Sequence, residues 1–365
     1  MGNIHILFAG DFCSKPSTSR ITVSDELKNL IQSCDLRVVN FEVPLKPNVS
    51  LPSQRRERFY QNDDCPDFLR GIGFNLFSVA NNHAFDWGYE GFKKTKAALG
   101  DAAFGAGTYD EAYRVKIVDV QGVKIGFYAL SFAAYKGIFD DVMNHEGLGC
   151  AYINDLRVNH DIMEAKKHVD FLFVLPHDGI EYIDIPTPET IARYRDFIDY
   201  GADGVIAAHP HCPQGWEEYK GKPIFYSLGN FLFNSKQSYD FRAKKPHWYE
   251  GICVVLTIND GNISWEVVNT KNVDNVGIEI DHDESRKKHN EQLCLHLTNC
   301  EEYHRSLKKV SEKLGWKNSL KIVEKTIMRH WLGKIKKSNS DDGNEVLFLI
   351  KNDQRRNLVI RSLNK

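Results

Sequence analysis

The chain has 365 residues, a formal net charge of −2, 42% hydrophobic and 26% charged residues. That length allows one large domain with an appendage or two domains, and the composition is that of a globular protein rather than a disordered or fibrous one. A near-neutral balance supplies no general attraction to nucleic acid, so no nucleic-acid partner is expected.

The N-terminal stretch from Met1 to Asp11 has no basic region and too short an apolar run for a signal peptide, and no later segment approaches the length of a membrane span. Eight scattered cysteines without CxxC spacing fit reduced thiols, so a cytoplasmic location is the expectation. Apolar runs at 4–9, 36–41, 76–80, 115–120, 123–130, 169–175, 205–208, 224–228 and 251–258 predict buried strands. Helices are predicted between them at 25–33, 64–71, 88–99, 155–168 and 188–200. This alternation is that of an α/β domain, and Gln121-Gly122 predicts a tight hairpin that makes the sheet content mixed. Residues 46–62, with Pro47, Pro52 and the Arg55-Arg56-Glu57-Arg58 cluster, predict a long loop. Near Lys271 the strand pattern is expected to stop. The chain therefore divides into a domain at 1–270 and a basic, helical extension at 271–365.

In open α/β sheets, ligands gather beyond the carboxyl ends of the strands, where the chain turns into loops over a shared crevice. Six runs here end in groups suited to that position: Gly10-Asp11, Asn40-Phe41-Glu42, Asn81-Asn82-His83, His177-Asp178-Gly179, His209-Pro210-His211 and Ser227-Leu228-Gly229-Asn230. Carboxylate, amide and imidazole are donors for a borderline or hard divalent cation. Each group taken singly is as well explained by a turn or a satisfied loop residue. Their joint position at strand ends is what predicts a metal site. His209 and His211, two apart on an extended segment, would face one side and share one metal centre.

The block from Val79 through Asn81-Asn82-His83 and Asp86 to Gly91, and the block from Gly201 through His209-Pro210-His211 to Phe231, resemble the signature stretches of the CapA (poly-γ-glutamate capsule) family. That family resembles the calcineurin-like metallophosphoesterases, which implies a layered α/β/β/α sandwich carrying two divalent ions (Mn, Zn or Fe). By the resemblance, Asp11 and His211 would serve the first metal, Glu42 would bridge both, and Asn82, His177 and His209 would complete the second. His83 would stand beside the site as general acid or phosphate-binding residue, with Asp86 orienting it. Asn40, Asn81, Cys13, Asp178, Glu217 and Asn230 would form the supporting layer. Glu217 would receive a proton from a liganding histidine, and Asn230 would buttress the histidine loops. Two departures stand out: Cys13 occupies a position where the superfamily has histidine, and Asp178 follows His177 where relatives have tryptophan. Asp178 would be either an added oxygen ligand or a loop residue bonded to backbone.

The resemblance implies a metal-dependent hydrolase acting on a phosphoester, phosphodiester or amide-like bond in capsule, poly-γ-glutamate or surface-polysaccharide synthesis. The alternative is a non-catalytic metal-binding accessory of the polymer synthase. Either would meet an anionic or phosphorylated polymer precursor and capsule-synthesis proteins. The stretch 301–337, rich in lysine and carrying Trp316 and Trp331, would be a helical cap on the sandwich or a basic surface for an anionic partner.

Overall fold

The computed structural model describes residues 2–48, 59–132, 137–139, 146–235, 245, 247–274, 276–314 and 357. Two sheets pack face to face with helices on both outer sides, which is the α/β/β/α layering that the resemblance implies. The first sheet runs in the order β2 (Thr22–Val23), β18 (Gly277–Ile280), β17 (Asn262–Val273), β16 (Glu250–Asn259), β1 (Ile4–Ser14), β3 (Leu36–Phe41), β4 (Leu76–Ser78) and β5 (Ala103–Phe104), with β15 (Asn230–Asn234) beside the second half of β1. The second runs β13 (Trp216–Tyr219), β14 (Lys222–Phe225), β12 (Gly204–Ile206), β11 (Phe171–His177), β8 (Val123–Ser131) and β7 (Lys116–Val120). A small third sheet comprises β6 (Ala106–Gly107), β10 (Gly149–Ala151) and β9 (Ile138–Phe139).

The sheets are joined by aromatic packing. Phe8 of β1 meets Phe127 of β8 at 6.1 Å and Phe173 of β11 at 5.8 Å between ring centroids, all three rings being buried. Offset and edge-on ring pairs at such spacings add to the large area that each phenyl removes from water. On the outside of the first sheet, α1 (Asp25–Ser33) is capped by the Ser24 hydroxyl, which accepts from Leu27 N–H, and buries Leu27 and Ile31. With it lie α2 (Cys65–Ile72) and α3 (Gly88–Leu99). A one-turn helix, α4 (Tyr109–Ala112), precedes β7 and opens with a capping box of Thr108 and Glu111. The second sheet is covered by α5 (Arg157–Lys166) and by α6 (Pro188–Asp199). Thr187 caps α6, Pro188 occupies its first turn, and Tyr194 and Phe197 are buried.

The hairpin between β7 and β8 turns on Gln121 and Gly122 at φ 55° and 85°, the paired positive values that a type I′ turn requires. One expectation is overturned. The strand pattern does not stop near Lys271: β17 runs through it to Val273, and β18 returns antiparallel beside β17 before pairing with β2. Beyond β18 come α7 (Glu284–Thr298) and α8 (Cys300–Leu314). Leu293 of α7 is buried. In α8, Leu307 packs with Ile180, Ile183 and Ile185, and the Tyr303 hydroxyl donates to the Pro186 carbonyl at 3.0 Å. These contacts are those of a helical cap on the sandwich. Trp316, Trp331 and the Arg55 to Arg58 cluster lie outside the described residues.

Candidate metal centre

The position of Asp11, the first candidate ligand, is made by an irregularity in β1. Its register against β3 shifts between Ala9 and Asp11, and against β15 between Asp11 and Phe12, so the strand that starts beside β16 and β3 continues beyond the bulge beside β15. Gly10 permits the crossing. A Cβ there would lie 1.9 Å from the Gly229 carbonyl oxygen, which instead accepts the Asp11 N–H at 3.0 Å. The Asp11 carboxylate is fully buried. It accepts from Asn40 Nδ2 at 2.6 Å and from the His209 backbone N–H at 3.1 Å, and His211 Nδ1 stands 3.4 Å from it. Burial works against its ionisation, but the His211 contact, the His177 and His211 charges and the Asn40 amide together hold its carboxyl below the usual range.

Glu42, one residue past β3, sits at the middle. Its Oε1 lies 3.6 Å from His211 Nε2, 3.9 Å from His177 Nε2 and 4.0 Å from His83 Nε2. His177 closes β11 and touches Asn82 Oδ1 through Nε2 at 2.9 Å, with His209 Nδ1 at 3.1 Å from the same nitrogen and Asn40 Nδ2 at 3.1 Å from the other. Burial, reinforced by His209, pushes His177 well below the usual imidazole range. Two donor sets result, Asp11 with Glu42 and His211, and Glu42 with His177 and His209, each with its ligand atoms within 4.8 Å of one another. Glu42 is common to both.

His209 and His211 do not share a centre as an extended segment would place them. Their backbones take φ 108° and 59°, and their rings diverge into the two different sets, 6.0 Å apart. Positive φ at two non-glycine residues is strained backbone of the kind that clusters at functional sites. His211 is further fixed by Asn230, whose Oδ1 lies 2.9 Å from Nδ1 and whose Nδ2 donates to the Trp248 carbonyl. Asn81 donates to the Phe41 carbonyl at 3.0 Å and accepts the His83 backbone N–H at 3.2 Å, tying the His83 loop to the end of β3.

His83 stands outside both sets. Its Nδ1 contacts Asp86 Oδ2 at 2.8 Å, and that carboxylate also accepts the Phe59 N–H at 3.1 Å. The Phe59 ring lies edge-on to the imidazole at 5.0 Å.

Three expected supporting residues sit differently from one another. Glu217 does not reach a liganding histidine; it takes a bidentate pair from Arg195 at 2.8 and 2.6 Å and the Tyr226 hydroxyl at 2.6 Å, because β13 turns its side chain toward α6. Cys13 is buried with Val43, Phe233 and Trp248 and belongs to neither set. Asp178 also belongs to neither. Its backbone N–H donates to the Ala208 carbonyl, and its charge acts on Arg193 and Tyr194 of α6. An aromatic wall with no sequence signature packs the histidines: Phe132 against His209 at 4.5 Å, and Trp248 and Phe233 against His211 at 5.0 and 4.8 Å. Those rings come from distant, unpatterned positions.

Residues 6–235 match the family model of the bacterial capsule synthesis protein PGA_cap, which is more than half of the chain. The chain belongs to this family. Among PGA_cap relatives, it is 29% identical over 245 residues to the PGA biosynthesis protein CapA of Bacillus subtilis (strain 168), covering 62% of this chain and 62% of that protein. It is 32% identical over 223 residues to the capsule biosynthesis protein CapA of Bacillus anthracis, covering 58% and 53%. The chain thus spans less than two thirds of the length of either relative. A phosphatase structure from Mycoplasma pneumoniae aligns over 79% of this chain and 97% of its own at 14% identity and a TM-score of 0.44, and nothing about the chemistry of this PGA_cap member rests on it. The matched stretch contains all of the donors of both sets, and the site is compatible with divalent metal binding. No helix of the described residues is long and apolar enough to cross a membrane.

Proposed function

We propose that this chain is a dinuclear-metal hydrolase acting on a phosphoester, phosphodiester or amide-like bond in an anionic capsule or poly-γ-glutamate precursor. The observation that carries the reading is the shared position of Glu42 between two donor sets, with the His83–Asp86 pair beside them and in neither. Mixed carboxylate and imidazole donors fit Mn²⁺, Zn²⁺ or Fe better than Ca²⁺. Asp11, Glu42, His177, His209 and His211 would hold such ions, which would supply Lewis acidity and an activated water at neutral pH.

The protein's own groups do the rest. Asp11, Glu42, Asn82, His177, His209 and His211 fix the positions of charge, while Asn40 and Asn230 hold Asp11 and His211 in orientation. Asp86 and the Phe59 edge set the His83 ring so that its Nε2 points toward Glu42, where it delivers a proton to the departing oxygen or nitrogen. A metal-binding accessory of the polymer synthase needs the ligands but not this extra imidazole, which is why hydrolysis is favoured. The test is a panel of generic phosphomonoesters, phosphodiesters and γ-glutamyl amides, with Mn²⁺ or Zn²⁺ added. Turnover of one class, abolished in Glu42→Gln, is expected. No turnover of any class by metal-loaded protein would favour the accessory role.

A further inference from the structure

A second group of metal-type donors lies away from this centre. Asp184, His247 and His289 place ligand atoms within 4.8 Å of one another, and all three are half-buried. They come from three separate parts of the fold: the segment between β11 and α6, the approach to β16, and α7. His247 takes φ 63°, so this turn too holds a non-glycine residue in the left-handed region. Its Nδ1 is engaged by Glu250 Oε2 at 2.6 Å, which leaves Nε2 as the remaining ring nitrogen. A carboxylate on one ring nitrogen, orienting the other, is the usual support of a metal-bound imidazole. The His289 ring lies parallel to that of His247 at 4.3 Å and 13°. Arg286 pairs with Glu250 and stands 3.6 Å from Asp281, and its Nη1 lies 3.4 Å from His247 Nδ1, so the guanidinium sits by the ring nitrogen that faces Glu250 and not by Nε2.

We infer that Asp184, His247 and His289 form a third cation site, separate from the Glu42 centre, that takes a Zn²⁺-like transition metal and staples α7 to the sandwich. Around one such ion at about 2.0–2.1 Å, tetrahedral ligand atoms sit roughly 3.3 Å apart, so the three donors need only draw together by side-chain rotation. Burial and the neighbouring His247 push His289 below the usual imidazole range, whereas the Glu250 contact raises His247. A cavity of about 290 Å³ lined by Tyr182, Asp184, His247, His296 and Lys309 gives solvent a route to the donors. With three protein ligands from a loop, a strand approach and a helix, the ion would tie the C-terminal helices to the body beside Tyr182, whose ring lies 6.1 Å from that of His211.

The test is equilibrium dialysis of the full chain against Zn²⁺, comparing wild type, Glu42→Gln, His289→Gln and Asp184→Asn. His289→Gln is expected to lose one ion per chain. In the Glu42→Gln background, the Zn²⁺-dependent rise in Tm and the protection of residues 284–314 from proteolysis are expected to disappear when His289→Gln is added. Asp184→Asn should reproduce the loss, which keeps the test intact if His289→Gln fails to fold. An unchanged ion count in both variants, or a wild type whose ions all vanish with Glu42→Gln, would overturn the third site. Glu42→Gln losing no ion, with His289→Gln still losing one, would instead sink the dinuclear reading and leave this one standing.

Discussion

Replacing His83 with alanine separates binding from proton transfer. The imidazole is 8% exposed, bonded through Nδ1 to Asp86 at 2.8 Å, and its other nitrogen stays 4.0 Å from Glu42, outside both donor sets. His83→Ala removes the group without removing a ligand. Asp86 keeps the Phe59 N–H, so the fold should lose no more than about 1–3 kcal/mol for the emptied space and the unmade bond. A lost general acid costs about 10²-fold or more in rate, or roughly 2.7 kcal/mol of barrier. The assay is metal content by elemental analysis beside kcat on whichever ester or amide class turns over. Near-native metal with at least a hundredfold slower turnover is expected. Asp86→Asn, which keeps a polar partner for the ring, should fall between that variant and wild type. Equal loss of metal and activity in His83→Ala would make His83 a ligand.

Gly10→Ala should destabilise the protein by about 1–3 kcal/mol in urea unfolding and lower metal retention, because its methyl meets the Gly229 carbonyl where β1 crosses to β15; an unchanged midpoint would show that the crossing relaxes. Arg195→Ala strips Glu217 of its bidentate partner and should cost about 1–3 kcal/mol with metal content unchanged. Metal loss there would restore Glu217 to the histidine layer. Deleting residues 284–365 should uncover Ile180, Ile183 and Ile185 and cause aggregation, read by light scattering. A soluble, metal-replete truncation that no longer bound an anionic polymer would make the extension a partner-binding module.

The parts of the fold legible in the sequence were strands marked by apolar runs and helices marked by the turns that bound them. β3 and α3 occupy the ranges that their residues predict, since both faces of β3 are buried and α3 begins at a glycine turn and ends at Gly100. β17 was illegible to that criterion because it is half-exposed: Ile263, Trp265 and Val267 alternate with polar residues, so it carries period-two alternation and no run. β15 was missed because it follows directly on the Ser227 to Asn230 turn and is short, although it is wholly buried. Asp11, Glu42, Asn82, His177, His209 and His211, which the structure brings together, stood out by residue type at strand ends. What surrounds them did not, because the bulge at Asp11, the left-handed backbone at His209 and His211 and the Trp248 wall depend on chain partners far away in sequence. Glu217 was misplaced for the same reason: proximity to the histidine block in sequence says nothing about which face of β13 it takes.

The proposed function requires that one carboxylate, Glu42, hold two ions. The most direct measurement is the number of Mn²⁺ or Zn²⁺ ions bound per chain in Asp184→Asn and in the Asp184→Asn/Glu42→Gln double variant, by equilibrium dialysis with elemental analysis. The shared position of Glu42 predicts two ions in the first and none held tightly in the second. Two ions retained in the double variant, or a single ion in the first, would contradict a bridge at Glu42.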